Sequence, residues 1–443
     1  MKVVFFVHCF FPDHYYGTET YTLELAKHYQ SMGIGVHVVT AIFPGEPAAA
    51  DFVTHYEFQG IPVTCIDKNR LPNTRIKDTY YQPDMRPVLE NILRDIKPDV
   101  IHVTHLINHT ASLLEVTQAL GIPTYATFTD FFGFCYNNKL EAADGSLCSG
   151  PALDRTNCMA CHFKDVGLQP DADRLLRWAS RPQRMPWAAK IANFARKFPP
   201  LRNGPFDGLL EDIARRPDTL FSLYSAYREV VTPSRFLRKA YESNGFTMPM
   251  RNIGFGVDIE RQPKPNRVSA HDPVIGFIGQ LARHKGPDIL IEAYKRLPKN
   301  SAELRIYGPQ DQDAAFMESL RLMSEGCNIQ FPGTFPKEKM REILDGMDVL
   351  VIPSRWYENS PLVLLNALAS HTPVIVSDVA GMTEFLNEGQ NGFAFQRGSV
   401  DDLERILRQV LGKPDTLFDL SNTTHYGRTP KIMAEETLTI YEQ

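Results

Sequence analysis

The 443-residue chain predicts an α/β protein of two Rossmann-like domains, and three observations predict it. Near the start, KVVFFVHCF reads as a strand, TETYTLELAKHYQSMG as an amphipathic helix and VHVVT as the next strand, a βαβ opening that implies a parallel sheet. Near the end, VLVIP, LVLLNALAS and TPVIVSD repeat the strand–helix–strand order, with short apolar runs of the kind buried on both faces of a parallel sheet. Between the halves, QPKPNRVSAHDP has three prolines and few apolar residues and reads as a linker. The expected divisions are a first domain at 1–258, a linker at 259–272, a second domain at 273–428 and a terminal helix at 429–443 that crosses back to the first domain.

Composition narrows the function class. The chain is 43% hydrophobic and 22% charged, as globular proteins are, and its net charge of -5 gives no general pull toward nucleic acid. No apolar run approaches the roughly 20 residues that span a bilayer. VVFFV is interrupted by His8 and reads as a strand rather than a leader. The expected location is the cytoplasm, with docking on the inner face of a membrane for reasons given below.

In the first half, Tyr21, Leu25 and Tyr29 form one stripe of the first helix, which Gly33 or Gly35 ends. Gly17 lies in the loop after the first strand, at the end of the sheet where open α/β folds bind ligands, and a glycine there admits close approach to the backbone. VLENILRDIKPDVIHVTH gives a helix and a strand ending near His105; IPTYATFTD gives another strand ending at Thr129 and Asp130. His105, Thr129 and Asp130 therefore stand at strand ends as candidate site residues, Asp130 foremost because a carboxylate at a strand end needs a partner or a substrate.

Cys135, Cys148, Cys158 and Cys161 follow, four of the seven cysteines, separated by twelve, nine and two residues. CMAC offers two thiolates to one ion, and the surrounding turn-rich sequence needs a clamp, so a structural zinc site is expected. A disulfide pair and an iron–sulfur cluster are the alternatives. From Arg174 to Phe206 there are eight Lys or Arg, no Asp or Glu, and both Trp178 and Trp187. That suits an anionic membrane surface; a solvated insert or a protein-binding surface is the rival.

In the second half, PVIGFIG is a strand, QLARHKG a loop and PDILIEAYKRL a helix. Lys285 lies in the loop, placed to neutralise a diphosphate as charge develops. Gly308 ends a further strand, where a ligand can approach the backbone closely. In PSRWYENSPLVLLNALASHTPVIVSD, Ser360 suits the cap of the helix and Pro361 its first position. The amides of Leu362 and Val363 would then form an anion site. Glu358 sits just outside, and Asn366 about two turns in.

PSRWYENSPLVLLNALASHTPVIVSDVAGMTEFL resembles the nucleotide-sugar signature of the family 4 retaining glycosyltransferases, in which a Glu is followed by seven residues and a second Glu. Glu358 keeps the first; Asn366 stands at the second. The family's first loop is Gly-rich and followed by a Glu, as with Gly17 and Glu19. Its Gly-Arg…Lys-Gly loop is matched by Gly279-Gln280 and Lys285-Gly286, and its His-Asp by Thr129-Asp130. FFGFCYNNKLEAADGSLCSGP…CMAC resembles an insertion in one branch of the family.

The resemblance implies the GT-B fold, two Rossmann-like domains facing across a cleft. It implies transfer of a sugar, with retention, from a UDP- or GDP-linked donor to a glycan or lipid-linked acceptor, as in surface polysaccharide assembly. No catalytic metal is implied, since Lys285 and the helix start supply the positive field. The changes at Thr129, Gln280 and Asn366 leave open a weakened or non-catalytic relative that docks at a membrane.

Overall fold

Each half of the chain winds its helices around one sheet. The structure is a computed structural model describing all residues except 168, 170–173, 196–207, 265–271, 413 and 443. The first unit comprises Met1–Ile253 and Lys431–Gln443, the second Gly254–Pro430. Much of the expected linker and the end of the basic segment lie outside the described residues.

In the first unit, β1 (Lys2–Phe6), β2 (Gly35–Ile42), β3 (Val53–Phe58), β4 (Ile61–Asp67), β5 (Val100–Val103), β6 (Thr124–Thr127), β7 (Val230–Thr232) and β8 (Met250–Asn252) form a sheet ordered β3-β4-β2-β1-β5-β6-β7-β8. Its pairings are parallel except β3 with β4. These two form a hairpin turning at Gln59 and Gly60, both at positive φ (51° and 77°), which matches the strand twist. Val3 to Phe6 are fully buried, as expected for a central strand covered on both faces. The helix Gly17–Ser31 buries Tyr21, Leu25 and Tyr29 on the sheet, with the Tyr29 ring stacked on Phe5.

The terminal segment belongs to this unit. Met433, Ala434 and Ile440 are buried, and the Tyr441 hydroxyl lies 2.7 Å from His102 Nδ1. His102 Nε2 is bonded in turn to Thr127 Oγ1.

In the second unit, β9 (Val274–Ile278), β10 (Glu303–Tyr307), β11 (Ile329–Gly333), β12 (Val349–Ile352), β13 (Val374–Ser377) and β14 (Gly392–Phe395) form a wholly parallel sheet ordered β11-β10-β9-β12-β13-β14. Apolar faces of the helices Pro287–Lys295, Ala314–Ser324 and Val400–Leu411 cover it. Strand order reverses beside β1 in one sheet and beside β9 in the other. Loops leaving the carboxyl ends of neighbouring strands diverge there, opening a crevice for a ligand. No helix among the described residues is long and apolar enough to cross a membrane.

Candidate functional site

At the reversal point of the second unit, the loop after β9 meets the loop after β12. Lys285 Nζ donates to Glu358 Oε1 at 2.7 Å. The same oxygen accepts from Ser354 Oγ at 2.8 Å and Trp356 Nε1 at 3.1 Å. Trp356 also packs its ring against His284, and Lys285 lies 5.4 Å from the Trp356 ring centroid. The loops touch because Gly286 adopts φ +72°: a Cβ there would sit 2.1 Å from the Pro353 carbonyl oxygen. Arg355 locks the approach, donating to Asp288 through both terminal nitrogens.

The next helix starts one residue later than expected. Pro361 is the N-cap, with ψ 123°, and the helix runs Leu362–Ala369; Ser360 sits before it at φ 53° and does not cap it. The proline's extended ψ leaves the first turn to begin at Leu362. The leading amides of Leu362 and Val363 remain the orphan donors of a helix start. Asn366 is the fifth residue of the helix rather than two turns in, and its Nδ2 donates to the Leu362 carbonyl. Its Oδ1 has no hydrogen bond among the described residues, nor has the Gln280 side chain. Gly308, at the end of β10, packs so tightly on β9 that a Cβ would meet the Gly279 oxygen at 2.1 Å. Lys285, Glu358, Gly286 and the helix start are therefore one site, with Gln280 and Gly308 on adjoining strand ends.

The first unit has a second polar cluster at its own reversal point. His105 Nε2 and Asp130 Oδ2 are 2.9 Å apart. The Ile107 amide donates to His105 Nδ1 at 3.1 Å, so Nε2 carries the ring proton and donates it to Asp130. Asp130 Oδ1 accepts from the Phe132 amide. Thr129 Oγ1 donates to the Thr104 carbonyl and accepts from Thr18. Gly17 begins the helix rather than lying in the loop; Tyr16 is the cap, and Glu19 falls in the first turn, where the helix field favours a carboxylate.

Glu19 is buried and holds two neighbours. Cys9 Sγ donates to its Oε1 at 3.0 Å, and His8 Nε2 lies 3.3 Å from the same oxygen. The His8 ring is 4.4 Å from His105. Burial, then His105, His109 and His14, hold His8 well below the usual imidazole range, so it is neutral. Burial and the Glu19 charge push the Cys9 thiol far up. His8 was not among the expected site residues, although its place two residues past β1 is the same strand-end signal that marked His105.

The four cysteines of the insertion gather around the helix Thr156–Gly167, which carries Cys158 and Cys161. Burial and then the Cys135 and Cys148 thiols raise Cys158 to about 12. Cys161 is raised by burial and then by Cys135, Cys158 and Cys148. All seven cysteines are free, and no three of these four sulfurs lie within 4.8 Å of one another. Cys135 donates to Asn137 Oδ1, Cys148 to the Gly150 carbonyl and Cys161 to the Glu141 carbonyl. Among the described residues only His8, Cys9 and Glu19 bring three metal-ligating atoms within 4.8 Å of one another.

Residues 258–425 match the family model for glycosyl transferases group 1, and residues 15–143 the model for glycosyltransferase family 4. The chain carries the two domains of a family 4 glycosyltransferase. Its fold is the GT-B pair of Rossmann-like domains.

A D-inositol 3-phosphate glycosyltransferase of Corynebacterium aurimucosum is 26% identical over 160 residues, 34% of this chain and 38% of that protein. The chain thus spans well under half the length of that curated relative. HepE of Anabaena, solved with UDP-glucose, matches 100% of this chain and 98% of its own at TM-score 0.59 and 15% identity. WaaG, a glycosyltransferase involved in lipopolysaccharide biosynthesis, matches 99% of both chains at TM-score 0.60 and 14% identity. In family terms Lys285 and Glu358 stand in the matched group 1 segment, and His105 and Asp130 in the family 4 segment.

Proposed function

We propose that this chain transfers a sugar from a nucleoside diphosphate sugar, UDP- or GDP-linked, to a hydroxyl of a glycan or lipid-linked acceptor, with retention at the anomeric carbon. The observation that carries the reading is the Lys285–Glu358 pair beside the Leu362 helix start. As the sugar–oxygen bond breaks, its electron pair stays on the diphosphate. The Lys285 ammonium and the Leu362 and Val363 amides are fixed dipoles and charge for that oxygen, in place before the reaction. Glu358 orients Lys285 and can accept from sugar hydroxyls through Oε2. Asn366 serves the ribose. In the first unit, the His105–Asp130 pair and Thr129 form the acceptor side.

HepE's UDP-glucose supports a UDP-linked donor, and WaaG's involvement in lipopolysaccharide biosynthesis supports a role in surface-glycan assembly. The phosphorylated inositol named for the Corynebacterium relative widens the acceptor class beyond glycans. Titration with UDP, GDP and their sugars tests the reading. Binding of one nucleotide, weakened about tenfold in Lys285→Ala, is expected. No binding to any of them would overturn it in favour of a non-catalytic relative emptied by the changes at Thr129, Gln280 and Asn366.

Membrane docking is a second reading, and one observation favours it. The helix Met185–Ala195 buries Met185 and Ala189 yet leaves Trp187 71%, Ile191 62% and Phe194 63% exposed, with Trp178 exposed nearby. Arg184 lies over Trp178 and Lys190 near Trp187. Aromatic rings flanked by cations suit a headgroup layer.

The cysteine cluster is proposed to hold a structural zinc ion. Four cysteine thiols, three of them buried, are the donor set of a soft tetrahedral ion, which they would hold once they turn toward one another and lose their protons. Its role there would be to clamp the insertion.

A further inference from the structure

A cavity of about 330 Å³ opens in the first unit beside the acceptor-side cluster, within the range of small-ligand sites. Ile107 and Phe132, each two residues from His105 and Asp130 respectively, line it. So does Arg216, from the helix Leu209–Tyr224, and Arg216 is only 3% exposed.

A buried guanidinium ordinarily has a carboxylate partner. Arg216 has no ion pair among the described residues. Its Nη2 donates to the Phe132 carbonyl at 2.9 Å and to Asn138 Oδ1 at 3.0 Å, both neutral acceptors. Its Nε is buried without a partner. Its faces are covered by the Phe132 and Tyr80 rings, at 4.6 and 5.3 Å. The acid one turn back, Asp212, is already held by Arg75 through both oxygens. Two acids line the same cavity, and neither forms an ion pair with Arg216: Asp165 is exposed, and Asp78 accepts from Thr74 and the Arg75 amide through Oδ2. A desolvated guanidinium therefore lines the cavity with only neutral acceptors within hydrogen-bond reach.

We propose that this cavity binds an anionic group of the acceptor, a phosphate ester or a carboxylate, through Arg216, with Asn108 and Asn138 beside it. The inference rests on the glycosyltransferase reading and narrows it: the acceptor is a charged sugar or polyol whose reacting hydroxyl reaches His105 and Asp130.

The test uses the full chain and three probes at constant ionic strength: glucose 6-phosphate, glucuronate and neutral glucose. Binding is followed by calorimetry and thermal shift. One or both anions should bind in preference to glucose, and which one does distinguishes phosphate from carboxylate. Asn138→Asp places a carboxylate where Arg216 already donates, and aspartate tolerates the positive φ of 60° at that position. This variant should fold at least as stably as the parent and bind the anion about tenfold or more weakly, the charge now being satisfied internally. Arg216→Gln should lose anion binding as well. UDP binding should survive in Asn138→Asp and fall in Lys285→Ala. Equal binding of glucose and both anions, or unchanged anion affinity in Asn138→Asp, would overturn the proposal. Anion binding that persists when no nucleotide binds would strike the donor reading and leave the anion site standing.

Discussion

Lys285 and Glu358, 73 positions apart, are joined at 2.7 Å across the point where strand order reverses in the second sheet. The pair is mostly shielded, with side chains 22% and 10% exposed. Removing the lysine leaves a carboxylate held only by Ser354 and Trp356. Lys285→Ala is expected to cost about 1–3 kcal/mol of stability and to lower donor turnover about a hundredfold. Glu358→Gln keeps the Ser354 and Trp356 bonds and frees the ammonium, so nucleotide affinity should hold while preference for the sugar-bearing donor falls. Denaturant unfolding and calorimetry with UDP and UDP-glucose check both. Equal loss of UDP affinity in the two variants would mean that the pair acts only as a structural clasp.

Gly286 makes that pairing possible. An alanine there would be forced into a left-handed conformation with its Cβ 2.1 Å from the Pro353 oxygen. Gly286→Ala should lose about 2 kcal/mol or more. It should also mimic the Lys285→Ala defect in UDP binding, because the two loops must separate. Retained UDP affinity in a folded Gly286→Ala would show that the loop contact is dispensable.

The parts of this architecture that were legible in the sequence are those with a local signature. The strands β1, β9, β12 and β13 announce themselves as short apolar runs. Lys285 and Glu358 were found from loops at strand ends, and His105 and Asp130 as separate polar groups. Their pairing was not legible, because it depends on two parallel strands in register. The helix start after Glu358 was misplaced by one residue: Ser-Pro suits a capped start, but Pro361 is extended and Ser360 left-handed. The β3–β4 hairpin turns on Gln-Gly, a weaker signal than Asn-Gly. No sequence signal marks Trp356, whose indole donates to Glu358 only through the tertiary fold. Arg216 sits in an unremarkable helical Arg-Arg pair; only tertiary structure separates it from Arg215, which bonds Glu211 at the surface.

Buried histidines make the first unit acid-sensitive. His102 and His109 are fully buried, and burial lowers them to about 3 and about 4. Both are depressed below their unfolded value near 6.5, so the unfolded chain takes up protons first on acidification. Their contribution is fully present above pH 6.5 and is lost as pH falls toward 4. Each should add a slope of about 1.4 kcal/mol per pH unit in that window. Unfolding free energies measured at pH 7, 6 and 5 should fall accordingly, and less steeply in His102→Gln. A flat profile would rule out neutral burial of these rings.

The cysteine cluster sets a different pH dependence. Cys158, pushed to about 12 by burial and its neighbouring thiols, is protonated without metal. Zinc must therefore displace protons, and affinity should rise steeply with pH. Purified protein should contain one tightly held zinc. Cys158→Ser or Cys161→Ser should abolish it and lower the melting temperature, as should a strong chelator. Protein that carries no metal, and whose melting is indifferent to chelator, would leave the four thiols as ordinary packing.

The exposed face of the Met185–Ala195 helix can be separated from the catalytic question. Trp187, Ile191 and Phe194 fall at i, i+4 and i+7 and so share one stripe, while Met185 and Ala189 bury the other. Apolar insertion alone would be insensitive to salt, and basic contact alone would not need the rings. A surface that uses both should bind vesicles containing anionic lipid, weaken between roughly 0.01 and 0.15 M salt, and weaken again in Trp187→Ala. Vesicle co-sedimentation reads all three. Because the helix lies outside both polar clusters, Trp187→Ala should leave UDP affinity unchanged. If vesicle binding is absent at low salt, or survives intact in Trp187→Ala combined with Phe194→Ala, the stripe is not a membrane contact.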